Sequence, residues 1–263
     1  MRLPPARQIA YCSHPDQVGN LHLPGDGEGP WPTVVLIHGG FWKWGWDRTL
    51  MTRLAHDLAR RGIAGWNIEY RRVGQEGGGW PGTLEDVAAA ADALAGMPEV
   101  DRACVAAVGH SAGGHLALWL AARHRLPAGA PGTAPAIRLR AAVAQAGVCD
   151  LVRGAQDNLG EGACAGLLGG LPAEVPERYA ATSPAALLPL GVPQILVHGG
   201  CDDIVPPSQS RDYALSATEA GDDVDLVEFA AADHFDLIEP EHPAWVAVTE
   251  RLHRLLTFEP ESK

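Results

Sequence analysis

The sequence predicts an α/β fold in which a mainly parallel central sheet is covered by helices on both faces. Short β-rich runs alternate along the chain with longer helical segments, and this alternation is typical of parallel sheets. The composition agrees, because 46% hydrophobic and 20% charged residues are typical of a chain that buries a core. The length of 263 residues suits one large α/β domain. We therefore expect residues 1–263 to form a single domain.

The strands are predicted from short apolar runs and the helices from longer periodic ones. Thr33–Ile37 is apolar apart from its threonine and is followed by His38 and a glycine pair, which is typical of a buried strand followed by a loop. Leucines four residues apart predict a helix over residues 50–61. The other predicted strands are 63–70, 103–108, 139–146, 194–198 and 224–229, and the other predicted helices are 83–95, 112–124, 208–220 and 243–257.

One segment, residues 149–183, interrupts the alternation. It is rich in glycine, alanine and acidic residues, and it contains Pro172 and Pro176. Long irregular segments inside a compact domain usually serve a function. We expect an irregular or short-helical insertion over the sheet, and we treat it as a candidate lid.

Charge and composition narrow the classes of partner. With 32 acidic and 20 basic residues the net charge is −12, which repels phosphate backbones and anionic lipid. For this reason no nucleic-acid partner is expected. No apolar run approaches 18 residues either, so no membrane partner is expected. Met1 to Arg7 lead into no apolar run typical of a signal peptide, and the five cysteines include no CxxC pair. These features predict reduced thiols in a cytoplasmic protein.

A G-x-S-x-G motif marks the predicted nucleophile. Gly109-His110-Ser111-Ala112-Gly113 directly follows an apolar strand and directly precedes a helix rich in alanine and leucine. In this setting a serine hydroxyl is exposed on a sharp, strained turn, the nucleophile elbow of the α/β-hydrolase fold. The flanking glycines let the strand and the helix pass close to the turn. Ser111 is the predicted nucleophile, and the N–H of Ala112 at the helix N-terminus is a predicted oxyanion donor.

The loop His38-Gly39-Gly40-Phe41-Trp42 follows the first predicted strand. An HGG-type loop at this place supplies backbone N–H groups to the oxyanion hole of α/β-hydrolases. Glycine suits the task, since the backbone has to approach the substrate carbonyl closely. We expect Gly40 to donate, with Gly39 or Phe41 as neighbouring donors, and His38 to hold the loop in place.

The predicted acid lies after strand 194–198, where two adjacent aspartates compete. The pattern HGxxDxxVP, which is common in related hydrolases at this place, favours Asp202 over Asp203. Asp150, which follows an earlier strand, is an outside alternative.

The predicted general base is His234, on the loop after the last strand. The chain order serine, acid, histidine is that of this fold. His242 and His253 lie further on, in or near the last helix, and are expected to face solvent. In the predicted triad His234 takes the proton of Ser111, and Asp202 holds the correct tautomer of the imidazole.

Together, the segments HGGFW, GHSAGGH, HGGCDDIVP and DHFDLI resemble the α/β-hydrolase esterases of the prolyl-oligopeptidase and esterase-D-like group. The resemblance runs from Trp31 to Leu256. The HGGxW element is shared with kynurenine formamidases, which cleave an N-formyl amide from an aromatic amino acid. Position 41 is Phe, where the hormone-sensitive-lipase type has a third glycine. Because HGGxW also occurs in general esterases, the resemblance leaves the substrate open.

Aromatic residues surround the predicted oxyanion loop. Trp42, Trp44 and Trp46 crowd just beyond it, Trp80 lies in a glycine-rich loop, and Phe235 follows the predicted base. Such residues can line an apolar acyl or aryl pocket, or they can pack the loop onto the first helix. An arginine after a strand end can clamp a substrate carboxylate or pair with a local one. The predicted substrate-binding residues are Trp42, Trp44, Trp80, Arg71 and Phe235.

These observations favour a serine hydrolase that cleaves a small or aryl carboxylic ester through an acyl-enzyme. An arylformamidase-type amide hydrolase would use the same triad, and a small serine peptidase is a further alternative. No cofactor is expected, and no metal, since the sequence has no HExxH and His110 and His115 do not share a helical face. The expected partner is a small-molecule ester or amide substrate. The assembly is left open between a monomer and a homodimer.

Overall fold

A computed structural model describes residues 3–25 and 29–257 of the chain. Within these residues eight strands form one sheet. The strands are β1 (Arg7–Ala10), β2 (Val18–His22), β3 (Trp31–Ile37), β4 (Ala64–Ile68), β5 (Val100–His110), β6 (Ala141–Gln145), β7 (Gln194–Gly199) and β8 (Val224–Phe229). The helices are α1 (Thr52–Arg60), α2 (Gly82–Ala93), α3 (Ala112–Ala122), α4 (Leu151–Gln156), α5 (Ala163–Leu168), α6 (Pro176–Thr182), α7 (Ser208–Glu219) and α8 (Pro243–Thr257).

The strand order β1-β2-β4-β3-β5-β6-β7-β8 brings the predicted functional loops together. Neighbouring strands from β4 to β8 in this order are parallel. The strand β1 pairs with β2, and β2 with β4, in antiparallel fashion. Ile37, the last residue of β3, is opposite Gly109 of β5, so the loop after β3 lies beside the loop after β5. In open parallel sheets, ligands bind outside the carboxyl ends of the strands.

The helices cover both faces of the sheet, because the strands are apolar on both sides. Along β3, Val34 and Leu36 face one hydrophobic cluster, while Val35 and Ile37 face another. Leucines of α1 and α8 contribute to the first cluster, and residues of α2, α3 and α7 to the second. The predicted fold class is confirmed.

The main departure from the predicted elements is the antiparallel pair at the N-terminal edge. The strand β1 is largely exposed, and β2 contains a glycine and an asparagine, so neither carries the apolar pattern that marks the central strands. Residues 149–183 contain the three short helices α4, α5 and α6, as expected of a short-helical insertion. That this insertion moves as a lid stays a prediction. Among the described residues no helix is long and apolar enough to cross a membrane.

Candidate active site

Ser111 lies on a sharp turn between β5 and α3. Its backbone has φ 57° and ψ −121°, a conformation that costs a non-glycine residue of the order of 1–3 kcal/mol. A Cβ added to Gly109 would lie 1.9 Å from the carbonyl oxygen of Gly113, and one added to Gly113 would lie 2.0 Å from that of Ile37. The spacing G-x-S-x-G therefore follows from the close approach of three backbone segments at this turn.

The turn is anchored so that the first N–H of α3 lies beside the serine. The N–H of Ser111 donates to the carbonyl of Gln145, at the end of β6, over 2.7 Å. Ala112 is the first residue of α3, so its own N–H has no acceptor within the helix. This N–H, at the positive end of the helix, is suited to bind an anion.

The loop after β3 passes directly over this turn. A Cβ added to Gly39 would lie 2.9 Å from the Cβ of Ser111. Gly40, Phe41 and Trp42 all have positive φ, at 105°, 51° and 56°. The resulting turn is closed by a hydrogen bond from the N–H of Lys43 to the carbonyl of Gly40.

The buried side chain of His38 anchors this loop. Its ring is fully buried and stacked on Tyr70, with Nδ1 2.7 Å from the carbonyl oxygen of Gly39 and Nε2 2.8 Å from Oε1 of Glu69. These two contacts fix the orientation of the ring between the loop and Glu69. In a trans peptide the N–H points opposite to the C=O, so the N–H of Gly40 is directed away from His38. Gly40 itself lines the cavity described below.

The aspartate that contacts His234 is Asp202. Its Oδ2 lies 2.7 Å from Nδ1 of His234, while Oδ1 accepts the N–H groups of Ile204 and Val205. Burial on its own would raise the pKa of Asp202, but hydrogen bonds from His198 and His234 outweigh it and hold the pKa below its usual range. Asp202 is therefore a carboxylate at neutral pH, able to keep the hydrogen of His234 on Nδ1.

The other two aspartates considered from the sequence lie elsewhere. Asp203 is exposed to solvent. Asp150 caps α4, where its side chain accepts the N–H groups of Val152 and Arg153. The contact with His234 therefore distinguishes Asp202 from the other two candidates.

Ser111 and His234 line the same cavity, which has a volume of about 100 Å³. Its wall is mainly apolar and aromatic, and Phe235 belongs to it, as does the predicted oxyanion loop. The lining residues are Gly40, Phe41, Trp46, Leu50, His110, Ser111, Ile204, His234 and Phe235.

Four of the predicted substrate-binding residues lie outside this wall. Trp42 is fully buried against His115, because the left-handed turn directs its ring into the core. Trp44 is 71% exposed. Trp80 is half-buried, with the guanidinium of Arg178 5.7 Å above its ring.

The fourth, Arg71, is bound to a local carboxylate. Its guanidinium donates to both oxygens of Asp86, at 2.8 and 2.7 Å, and the side chain of Asp86 is only 1% exposed. The hydrogen bond to Asp86 raises the pKa of Arg71. A buried carboxylate occupies these donors, which favours the alternative in which Arg71 pairs locally, and a role of Arg71 toward a substrate stays a prediction.

Four lining residues, Trp46, Leu50, His110 and Ile204, were absent from all the predicted site residues. Trp46 stacks on Phe235 with ring centroids 6.1 Å apart, and Leu50 and Ile204 complete the apolar wall. Sequence signals existed for two of them, since Trp46 belongs to the aromatic run after the oxyanion loop and His110 is part of the G-x-S-x-G motif. Within residues 3–25 and 29–257, no group of three or more His, Cys, Asp or Glu side chains is placed to hold a metal ion.

The insertion contacts the back of the predicted oxyanion loop. Nζ of Lys43 donates to the carbonyl of Gly160 over 2.6 Å, and a Cβ added to Gly160 would lie 2.6 Å from the ring of Phe41. The N–H of Trp80 donates to the carbonyl of Leu167. Residues 149–183 therefore support the loop that lines the cavity.

Comparison with known proteins places this arrangement in a family. The BD-FAE family matches residues 20–216. No curated protein matches the chain. The match is to this family, and the likeness to prolyl oligopeptidases and kynurenine formamidases stays a prediction.

Solved structures of similar fold cover nearly the whole chain. A truncated carbohydrate esterase from gut microbiota has a TM-score of 0.84 at 18% identity, over 98% of this chain and 97% of that one. An esterase from the planctomycete Thermogutta terrifontis has a TM-score of 0.78 at 23% identity, over 99% and 96%. The same esterase phosphonylated by sarin has a TM-score of 0.79 at 22% identity, over 99% of each chain. At these identities the likeness shows the fold.

Proposed function

This chain belongs to the BD-FAE family, a group of α/β-hydrolase-type esterases, and on that premise we propose that it is a serine hydrolase of small carboxylic esters. One observation carries the proposal. Ser111 and His234 line one cavity beneath the HGG loop, and His234 is hydrogen-bonded to the buried carboxylate of Asp202.

In the proposed acylation step, Oγ of Ser111 attacks the ester carbonyl carbon while its proton passes to Nε2 of His234. Asp202 keeps the other imidazole hydrogen on Nδ1 and stabilises the imidazolium that forms. The carbonyl oxygen becomes an oxyanion, which the N–H groups of Gly40 and Ala112 stabilise. These donors are set in advance by the His38 contact and by the start of α3, so little rearrangement is needed.

Collapse of this intermediate breaks the bond to the alkoxy oxygen, and His234 returns its proton to the departing alcohol. Water then attacks the acyl-enzyme while His234 accepts its proton. The second tetrahedral intermediate releases the carboxylic acid and restores the hydroxyl of Ser111.

The size and lining of the cavity support a short acyl group. A volume of about 100 Å³ is small beside the roughly 300–1,000 Å³ of a pocket that holds a drug-sized ligand. Apolar side chains line most of it, so a short hydrocarbon chain fits better than a charged group. The carbohydrate esterase among the similar structures supports an alcohol rich in hydroxyl groups on the other side of the ester.

The test is a paired assay of the purified protein and its Ser111→Ala variant. The substrates are 4-nitrophenyl acetate, an acetylated oligosaccharide and N-formylkynurenine. We expect ester hydrolysis that falls at least about 10⁴-fold in the variant, since nucleophile and base act as a unit. Ser216→Ala, a change at an exposed serine on α7, serves as the control and should leave the rate unchanged. Ester hydrolysis that survives Ser111→Ala would contradict the mechanism, and a faster reaction with N-formylkynurenine would overturn the ester assignment.

A further inference from the structure

His110 precedes the nucleophile in the chain, and its side chain reaches the backbone of the base. Its Nε2 lies 2.8 Å from the carbonyl oxygen of His234, and the residue is 1% exposed. A carbonyl oxygen can only accept, so Nε2 carries the hydrogen and donates. This bond joins the elbow that bears Ser111 to the loop that bears His234.

The other ring nitrogen of His110 has no acceptor to bind. Nδ1 is buried without a hydrogen-bond partner among the described residues, and it lies 3.2 Å from the position of a Cβ added to Gly39. Burial lowers the pKa of His110 to about 3, and the charge of His234 acts in the same direction. His110 is therefore neutral.

Neutrality matters because of where the ring lies. The centroid of the His110 ring is 4.5 Å from that of His234, which has to become an imidazolium in the proposed reaction. A second positive charge at that distance would oppose the proton transfer from Ser111. The other ionisable groups that act on His110 are Asp202, whose charge favours a proton, and His198, whose charge disfavours it.

The rest of the base loop is held by other contacts. The side chain of Asp233 accepts the N–H groups of Phe235 and Asp236, which shapes the loop locally. The N–H of Cys201 donates to the carbonyl of Ala232, which ties the base loop to the acid loop. Gln145, whose carbonyl accepts the N–H of Ser111, donates from Nε2 to the carbonyl of Leu237, three residues after the base. The contact from His110 is the one made to the backbone of His234 itself.

We propose that His110 is a positioning residue, which holds His234 at the correct distance from Ser111 without adding charge beside it. The proposal rests on the proposed Ser111–His234 chemistry. Misplacement of a reacting group by about 1 Å can cost about 100-fold in rate. Loss of the bond should therefore act on kcat, while KM should change little.

His115 offers a matched control in the next helix. It is also fully buried, its Nε2 lies 3.0 Å from the carbonyl oxygen of Thr182, and its Nδ1 has no partner among the described residues. Burial lowers its pKa to about 4. Its bond reaches Thr182 at the end of α6 rather than the loop of His234, so its loss should affect stability but not the distance between Ser111 and His234.

The experiment compares His110→Met and His110→Gln with His115→Met and His115→Gln. We expect His110→Met to lower kcat for 4-nitrophenyl acetate by about 10- to 100-fold with KM within about twofold. His110→Gln, whose amide supplies a donor in place of Nε2, should recover most of that loss. Both His115 variants should keep kcat within about twofold. Should His110→Met fail to fold, His110→Asn, whose amide is too short to reach the carbonyl, replaces it.

A second measurement is the rate of inactivation by diisopropyl fluorophosphate, which depends on Ser111 and His234 but not on ester binding. This rate should fall in His110→Met and recover in His110→Gln. An unchanged kcat in His110→Met, an equal loss in His110→Gln, or an equal loss in His115→Met would overturn the positioning role. If the wild-type protein neither hydrolyses esters nor reacts with the fluorophosphate, the proposed function itself fails.

Discussion

Replacement of Asp202 by Asn keeps the shape of the side chain but removes the carboxylate that orients His234. In the wild-type protein Oδ1 accepts two backbone N–H groups, from Ile204 and Val205, at 3.0 and 2.9 Å. The Asn oxygen has to remain on that side to keep these bonds. Its NH₂ group then takes the place of Oδ2, 2.7 Å from Nδ1 of His234.

The consequence is a change of tautomer. An NH₂ group donates, so Nδ1 of His234 has to accept, and the imidazole hydrogen moves to Nε2. A protonated Nε2 cannot take the proton of Ser111. For other serine triads this change lowers kcat by about 10⁴-fold, which corresponds to about 5.5 kcal/mol at 1.36 kcal/mol per tenfold step.

The assay is kcat for 4-nitrophenyl acetate, measured on Asp202→Asn and Asp203→Asn beside the wild-type protein. Asp203 is exposed, so its variant should keep kcat within about twofold. Thermal unfolding of each variant checks that the fold is intact. A loss under tenfold in Asp202→Asn, or an equal loss in Asp203→Asn, would refute the assignment of the acid.

Three further substitutions test the oxyanion loop, the cavity and the arginine. Gly40→Ala should lower kcat about 100-fold, because φ is 105° and the added methyl group would lie 2.5 Å from Trp46. A kcat above half the wild-type value would exclude Gly40 as a donor. Leu50→Ala enlarges the cavity, so the ratio of kcat/KM for a hexanoate ester to kcat/KM for an acetate ester should rise about tenfold. An unchanged ratio would place the acyl group elsewhere. Arg71→Met should lower the free energy of unfolding by about 3 kcal/mol, measured by urea denaturation, because the buried carboxylate of Asp86 loses its cationic partner. A raised KM specific to carboxylate-bearing esters would instead assign Arg71 to the substrate.

The features that could be predicted from the sequence are those that depend on neighbouring residues in the chain. The elbow at Ser111 could be identified because its glycines, strand and helix are contiguous, and the requirement for glycine is visible in the close approaches at Gly109 and Gly113. The central strands could be identified because burial on both faces demands continuous apolar runs. The exposed strand β1 lacked that pattern and was missed.

The substrate wall could not be predicted in the same way. Trp42 and Trp44 are two residues apart, yet one is fully buried and the other is 71% exposed. The difference arises from three consecutive left-handed residues, of which two are not glycine. Such a turn can seldom be predicted from the local sequence, because non-glycine residues adopt positive φ only where surrounding contacts hold them there.

The sequence by itself determined the fold class, the order of the functional loops and the position of Ser111, because each depends on local periodicity and spacing. The tertiary structure decided which of two adjacent aspartates contacts His234, which aromatic rings line the cavity, and that Arg71 is bound to Asp86. It also brought His110 to the backbone of His234, far away in the chain. These outcomes depend on burial and on partners from distant segments, and a side chain acquires both only when the sheet assembles.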